Sequence, residues 1–356
     1  MSLVTGMCAG LLAAGLLSAG LFSMRPTDPP QRSVDPPGMM ETGTASGLQY
    51  GLVIAGIGGE KKYVDRNLDW ARGFRDVLSS DYGFSEDRLT LMVEDPAGVG
   101  GFPAVKSTLV EIRRVLAALA DLIRPGDDLF ILLIGHGSAT DAGARLNIPG
   151  PDLRADMLRD ALEEIGARYT VVVNGASSSA PFIEALSGPG RVIVTATKSG
   201  AERLSTVFPE HLLAALKAKA GDLDKDGRIS VLESFVYARN KTSEWYAGQG
   251  LLATEHPLLD DNGDGRGTRE PGPGGTDGML AGRVYFGRRS TAAVKSGSPE
   301  ERALQDGMEA LRWQIDELKA RKDRVDPGEY TARMEELLIE LARVTRRLRT
   351  LEGNPP

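Results

Sequence analysis

The sequence predicts an α/β protein, with a mainly parallel sheet covered by helices on both faces, an acidic loop segment after it, and a C-terminal helical hairpin. Three observations predict it. Apolar runs at residues 50–57, 89–93, 129–134, 169–173 and 192–196 alternate with stretches of helical periodicity. Residues 129–134 are apolar throughout, and 169–173 and 192–196 are so apart from one threonine each, as strands buried on both faces are. The segments between them are long enough to hold the crossover helix that parallel neighbours need.

The elements follow in order. Residues 3–22 are apolar and rich in Ala, Gly and Leu, with Arg25 and several prolines behind them. Residues 1–24 therefore read as a signal peptide or as an uncleaved N-terminal anchor, and the protein is expected to be exported: periplasmic, secreted or tethered to a membrane. Residues 25–47 carry Pro, Ser, Thr, Asp and Gly without apolar periodicity, the composition of a flexible or polyproline-like linker. In residues 64–80, Leu68, Ala71, Phe74, Val77 and Leu78 fall at helical spacing. Residues 105–123 read as an amphipathic helix that stops before Pro125, and residues 153–165 and 209–220 are helical as well. Residues 48–220 thus make the sheet domain, and residues 221–287, with a short strand near 283–286, complete the body.

A polar linker over residues 288–298 precedes the last module. Leu304, Met308, Leu311, Ile315 and Leu318 step by four and three. Met334, Leu337 or Leu338, Leu341, Val344, Leu348 and Leu351 do the same beyond Asp326-Pro327-Gly328. Residues 299–352 are expected to form an antiparallel hairpin with a coiled-coil-like heptad seam. It reads either as a self-contained pad or as an arm for homo-oligomerisation or partner capture.

Composition excludes several functions. The 356 residues carry a formal net charge of −7 and no basic stripe, so nothing draws the chain to nucleic acid. The single cysteine, Cys8, lies in the N-terminal apolar segment. A disulfide framework, a cysteine-ligated zinc site and a thiol nucleophile in the body are all excluded. Gly56-Ile57-Gly58-Gly59 lacks the third glycine of a dinucleotide loop, since residue 61 is Lys61, and no phosphate-binding Walker sequence is present.

Residues 222–233 carry the most specific signal. Asp222, Asp224 and Asp226 stand at alternate positions, and Gly227 follows at the sixth for a sharp turn. Arg228 offers a carbonyl at the seventh, Ser230 can ligate directly or through water, and Glu233 at the twelfth can supply two oxygens. Calcium takes six to eight oxygens, and this spacing matches the EF-hand loop position by position. Ca2+ is therefore the expected cofactor. A second stretch offers Asp260, Asn262 and Asp264 before Gly265, but Pro271 stands where a twelfth-position acid belongs. It reads as a second metal site or as an Asp/Asn/Gly turn.

Ligands of parallel sheets sit at the carboxyl ends of the strands. The third run ends Ile134-Gly135-His136-Gly137-Ser138 and the fourth ends Asn174-Gly175-Ala176-Ser177-Ser178-Ser179-Ala180. In this order the motifs resemble the caspase-like fold, legumain-type peptidases in particular, over roughly residues 48–216. The resemblance implies a histidine at His136, an oxyanion-binding amide at Gly137 and a nucleophile at residue 177. Ser177 stands where the family has its cysteine, Ala180 where it has glycine, and Gly58 where it has an asparagine that orients the histidine. A hydroxyl is a far poorer nucleophile than a thiol without an aligned base. The expectation is a degenerate, non-proteolytic, calcium-binding peptidase homologue whose cleft binds a peptide or protein segment. The alternatives are a hydrolase using a Ser177–His136 dyad and a scaffold acting through the C-terminal hairpin.

Overall fold

The computed structural model describes residues 47–287 apart from 142, 273 and 274, then part of residues 298–318, and residues 325–351. The expected N-terminal signal or anchor and the linker behind it lie outside the described residues, as does most of the linker at 288–298. No described helix is long and apolar enough to cross a membrane.

The centre is a seven-stranded sheet. Its strands are β1 (Gln49–Ala55), β2 (Leu89–Val93), β3 (Ala104–Lys106), β4 (Asp128–Ile134), β8 (Tyr169–Asn174), β9 (Arg191–Thr195) and β11 (Leu258–Asp260). They lie in the order β11-β9-β8-β4-β1-β2-β3. All neighbours are parallel except β11, which runs antiparallel to β9.

Both faces are covered, which is why the strands are apolar at odd and even positions alike. Val53, Leu91, Phe130, Val171 and Val194 pack on one side with α1 (Lys61–Ser80), α5 (Phe208–Leu216) and α6 (Val231–Gly248). Leu52, Ile54, Leu129, Ile131 and Val172 pack on the other with α2 (Leu109–Leu122), α3 (Ala155–Glu163) and α4 (Pro181–Leu186). Phe74, Phe208 and Phe235 are fully buried between helix and sheet, and each side chain contributes about 2–3 kcal/mol by leaving water.

The structure corrects the sequence reading at several elements. Residues 104–106 form an edge strand, and the helix expected from residue 105 begins at Leu109. Thr108 sets that start, because its Oγ1 accepts the Glu111 N–H at 3.4 Å. Residues 153 and 154 are strand β7, so the next helix starts at Ala155. The helix expected over 209–220 ends at Leu216 and tightens into a short 3-10 turn. Strands β5 (Gly137–Thr140) and β6 (Gly143–Leu146) complete a small antiparallel sheet with β7 directly after His136. β5 is polar or small and partly exposed, and the buried Ala144, Leu146 and Leu153 are too few and too scattered to make an apolar run. The short strand expected near 283–286 is β12 (Tyr285–Phe286), paired with β10 (Ile229–Ser230).

The final helix, α7, spans Pro327–Leu351. The described residues between 300 and 318 are helical, and Leu311 and Ile315 are buried with Leu337. Leu337 is 1% exposed and Leu338 49% exposed, so of the two it is Leu337 that is buried. Arg347 pairs with Glu300, and Arg333 reaches Gln314.

Candidate functional site

Strands β4 and β8 are neighbours, and their carboxyl ends bring His136, Gly137 and Ser177 together. Gly137 is where two backbones nearly touch: a Cβ there would lie 2.5 Å from the Ser177 carbonyl oxygen and 2.9 Å from that of Arg145. Only glycine allows this approach. The Gly137 N–H donates to Ser177 Oγ at 3.2 Å, and that hydroxyl lies 3.3 Å from the Gly137 carbonyl it donates to. Ser177 is 1% exposed.

His136 does not hydrogen-bond to Ser177 among the described residues. Its ring stands edge-on to Tyr63, with centroids 5.1 Å apart and planes at 88°. Burial lowers its pKa, and the nearby Arg66 guanidinium lowers it further, so the imidazole is neutral at pH 7. Arg66 lies over Tyr63 and Trp70, at 4.9 and 4.4 Å from the ring centroids, and donates to Ser205 Oγ at 2.6 Å. Among the described residues it has no carboxylate at ion-pair distance. Sequence reading missed Tyr63 and Arg66; the available signal was their three-residue spacing on the helix that follows β1. At Gly58, a Cβ would lie 2.3 Å from the Val64 nitrogen, so an asparagine has no room there.

The rest of the segment is held by its own polar network. Ala176 N–H donates to Asn174 Oδ1 at 3.0 Å, and Ser178 N–H to the Glu202 carbonyl at 2.8 Å. Ser179 Oγ and Thr197 Oγ1 lie 3.1 Å apart. Ser178 takes a left-handed backbone (φ 53°), and its buried hydroxyl has no hydrogen-bond partner. Near the cleft rim, Glu255 is 2% exposed and accepts the Val207 and Phe208 amides at the start of α5, as well as the Tyr246 hydroxyl. Burial pushes its carboxyl up to about 7 against those donors.

In the loop at 222–233, ligand oxygens of Asp222, Asp224 and Asp226 lie within 4.8 Å of one another. The loop is wound by its own amides. Asp222 Oδ2 accepts Gly227 N–H at 3.1 Å, Asp224 Oδ1 accepts Asp226 N–H at 3.0 Å, and Asp226 Oδ1 accepts Arg228 N–H at 2.8 Å. Glu233 reaches back over it. Its Oε1 accepts the Leu223 and Asp224 amides, and its Oε2 accepts Ser230 N–H at 2.8 Å in a capping box that starts α6. Ser230 is thus engaged as a helix cap. Asp222 is 8% exposed, and its Oδ1 is buried with no partner. An orphaned carboxylate oxygen facing two more acids fits a hard divalent cation.

The second loop turns differently. Asp260 ends β11, opposite Ile193 in β9, so this loop is part of the main sheet's edge. It does not pair with the first loop, whose Ile229 pairs with Phe286. Asn262 Oδ1 accepts Asp264 N–H and Asp264 Oδ1 accepts Arg266 N–H, both at 2.8 Å. Asp260 is 1% exposed and Asp277 is 0% exposed. Burial raises the carboxyls of both, that of Asp277 to about 6. Sequence reading missed Asp277, whose place beside the loop is set by a chain return thirteen or more residues away.

No family model matches this sequence, and no curated protein does. Among solved structures, the protein GSU0716 from Geobacter sulfurreducens is similar over 60% of this chain and 92% of its own, at 11% identity and a TM-score of 0.40. The likeness is too distant to bear on function.

Proposed function

We propose that this is an exported, calcium-binding, caspase-like domain that binds a peptide or protein segment without cutting it. The observation that carries the non-hydrolytic part is the state of Ser177. Its hydroxyl is buried and tied to both polar groups of the Gly137 peptide, while the neutral His136 ring faces Tyr63. A nucleophile needs its base within hydrogen-bond reach, and an oxyanion site needs a free amide. Here the amide expected to stabilise an oxyanion donates to the hydroxyl expected to attack. The strand order and the meeting of the β4 and β8 ends support the caspase-like reading. Tyr63, Arg66 and His136, all partly exposed, supply aromatic faces and hydrogen-bond donors suited to an extended peptide. The orphaned Asp222 oxygen supports calcium in the first loop, where Asp222, Asp224, Asp226, the Arg228 carbonyl and Glu233 would hold it. Export rests on the apolar run at residues 3–22.

The test is a diverse peptide library incubated with the full chain, with and without calcium, beside His136→Ala and Ser177→Cys, together with labelling by a serine-directed fluorophosphonate. The expected outcome is no cleavage and no labelling by the wild type. Wild-type cleavage that disappears in His136→Ala would establish the Ser177–His136 hydrolase instead.

A further inference from the structure

The second acidic loop shows the same orphaned oxygen as the first, more deeply placed. Asp260 is buried to 1% exposure, and neither of its carboxylate oxygens has a hydrogen-bond partner. The Ser187 hydroxyl and the Gly263 amide lie close enough to temper the upward shift that burial gives its pKa, yet neither comes within hydrogen-bond distance of its oxygens; Ser187 Oγ also accepts Gly265 N–H at 3.0 Å. A buried carboxylate with no donor costs several kcal/mol unless a cation neutralises it. In the loop that Asp260 begins, Asn262 and Asp264 are exposed, and each uses its Oδ1 to accept a backbone amide two residues on.

The neighbourhood is already built. The loop is shut at its base by the reciprocal Leu259–Thr268 backbone pair, at 2.8 and 2.9 Å. Asp261 points the other way, accepting Gly278 N–H at 2.8 Å and Ala281 N–H at 2.7 Å. Asp277 Oδ1 accepts the Asp261 amide at 3.1 Å. Asp261 is therefore satisfied by amides, and Asp277 is anchored behind the loop. Asp260 alone is left open.

We propose that Asp260, Asn262 and Asp264 form a second calcium site, which closes over the edge of the main sheet where β11 meets β9. The ligand is a hard divalent cation, because every side chain offered is an oxygen donor. Asp277, brought alongside by the fold, supplies the negative charge that the missing twelfth-position acid would have supplied. Through Ser187 the ion ties the loop to the end of α4, the helix that follows the Ser177–Ser179 segment. The inference shares its ion with the proposed function but not its site.

The experiment is equilibrium dialysis of the chelator-stripped full chain against calcium alone, beside Asp226→Asn and Asp264→Asn. Both side chains are exposed, and the new amide keeps the Oδ1 acceptor for the Arg228 or Arg266 N–H, so folding is preserved. Two ions per wild-type chain are expected. Asp264→Asn should weaken one of them at least ~tenfold and leave the other unchanged, with Asp226→Asn the mirror image. An Asp264→Asn isotherm that superimposes on the wild type overturns the second site. A single ion lost only in Asp226→Asn does the same and leaves the first loop standing. A single ion lost only in Asp264→Asn supports the second site and removes the first. No calcium binding overturns both.

Discussion

The strand-end cleft and the two acidic loops differ in the kind of polar group they leave unpartnered. At the ends of β4 and β8 most polar groups are paired with one another, Ser177 with the N–H and carbonyl of Gly137, Ser179 with Thr197 and Ala176 with Asn174, while the Ser178 hydroxyl is left over. In the two acidic loops the backbone amides are matched, yet Asp222 Oδ1 and both Asp260 oxygens are left buried and alone. Buried polar groups without partners are rare in folded proteins and mark a missing ligand, strain or a catalytic role. Asp222 and Asp260 carry unpartnered carboxylate oxygens, while Ser177 Oγ is bonded to the N–H and the carbonyl of Gly137. Unpartnered buried atoms occur in both regions, at Ser178 Oγ and Arg66 Nε in the cleft and at Asp222 and Asp260 in the loops, but only in the loops are they carboxylate oxygens.

The largest effect that would break this contrast lies in the first loop. Glu233→Gln keeps the capping box, since glutamine serves there as well, but removes the twelfth-position charge. At free calcium a thousandfold above the dissociation constant, a site present only in the folded state adds about 4 kcal/mol. Thermal unfolding with and without calcium should show most of that gain lost in the variant. If the wild type gains nothing from calcium, the first loop is a plain acidic turn.

The second test uses a buried acid that is not left open. Glu255 has three donors, yet burial still holds its folded pKa at about 7 against an ordinary 4.5. The folded state keeps its proton where the unfolded chain has released it. Stability from this group is therefore full below about pH 4.5 and falls as the pH rises through 7, by about 3 kcal/mol. Glu255→Gln should flatten that part of the stability profile, read as denaturant midpoints between about pH 5 and 8. An unchanged profile would show that donors alone are enough to keep a buried carboxylate charged, which would weaken the case built on Asp260.

The smallest effect is in the cleft. Ser178 holds a left-handed backbone with an unpartnered hydroxyl, the one open group in that segment. Ser178→Gly removes both burdens and should raise stability by about 1 kcal/mol, less the entropy that glycine loses on folding. A destabilised variant would mean that this hydroxyl has a role the closed network does not reveal.

The alternating apolar runs and helical spacings determined a parallel sheet with helices on both faces, because burial on two sides imposes a composition that any single strand displays. The spacing of Asp222, Asp224, Asp226 and Glu233 located the first acidic loop in the same way, since one turn of chain carries every group involved. Beyond that reach, local pattern fell short. The alternation of Ala144, Leu146 and Ile148 with Arg145 and Asn147 was a strand signal too short to be read, and β11 was invisible in three residues of chain. The approach of Gly137 to Ser177, the turn of His136 toward Tyr63, the isolation of Asp260 and the arrival of Asp277 behind it were decided by tertiary structure alone. Each depends on groups far apart in sequence meeting at one point. Whether a hydroxyl or carboxylate ends up partnered or orphaned is a property of that meeting and not of the residues that enter it.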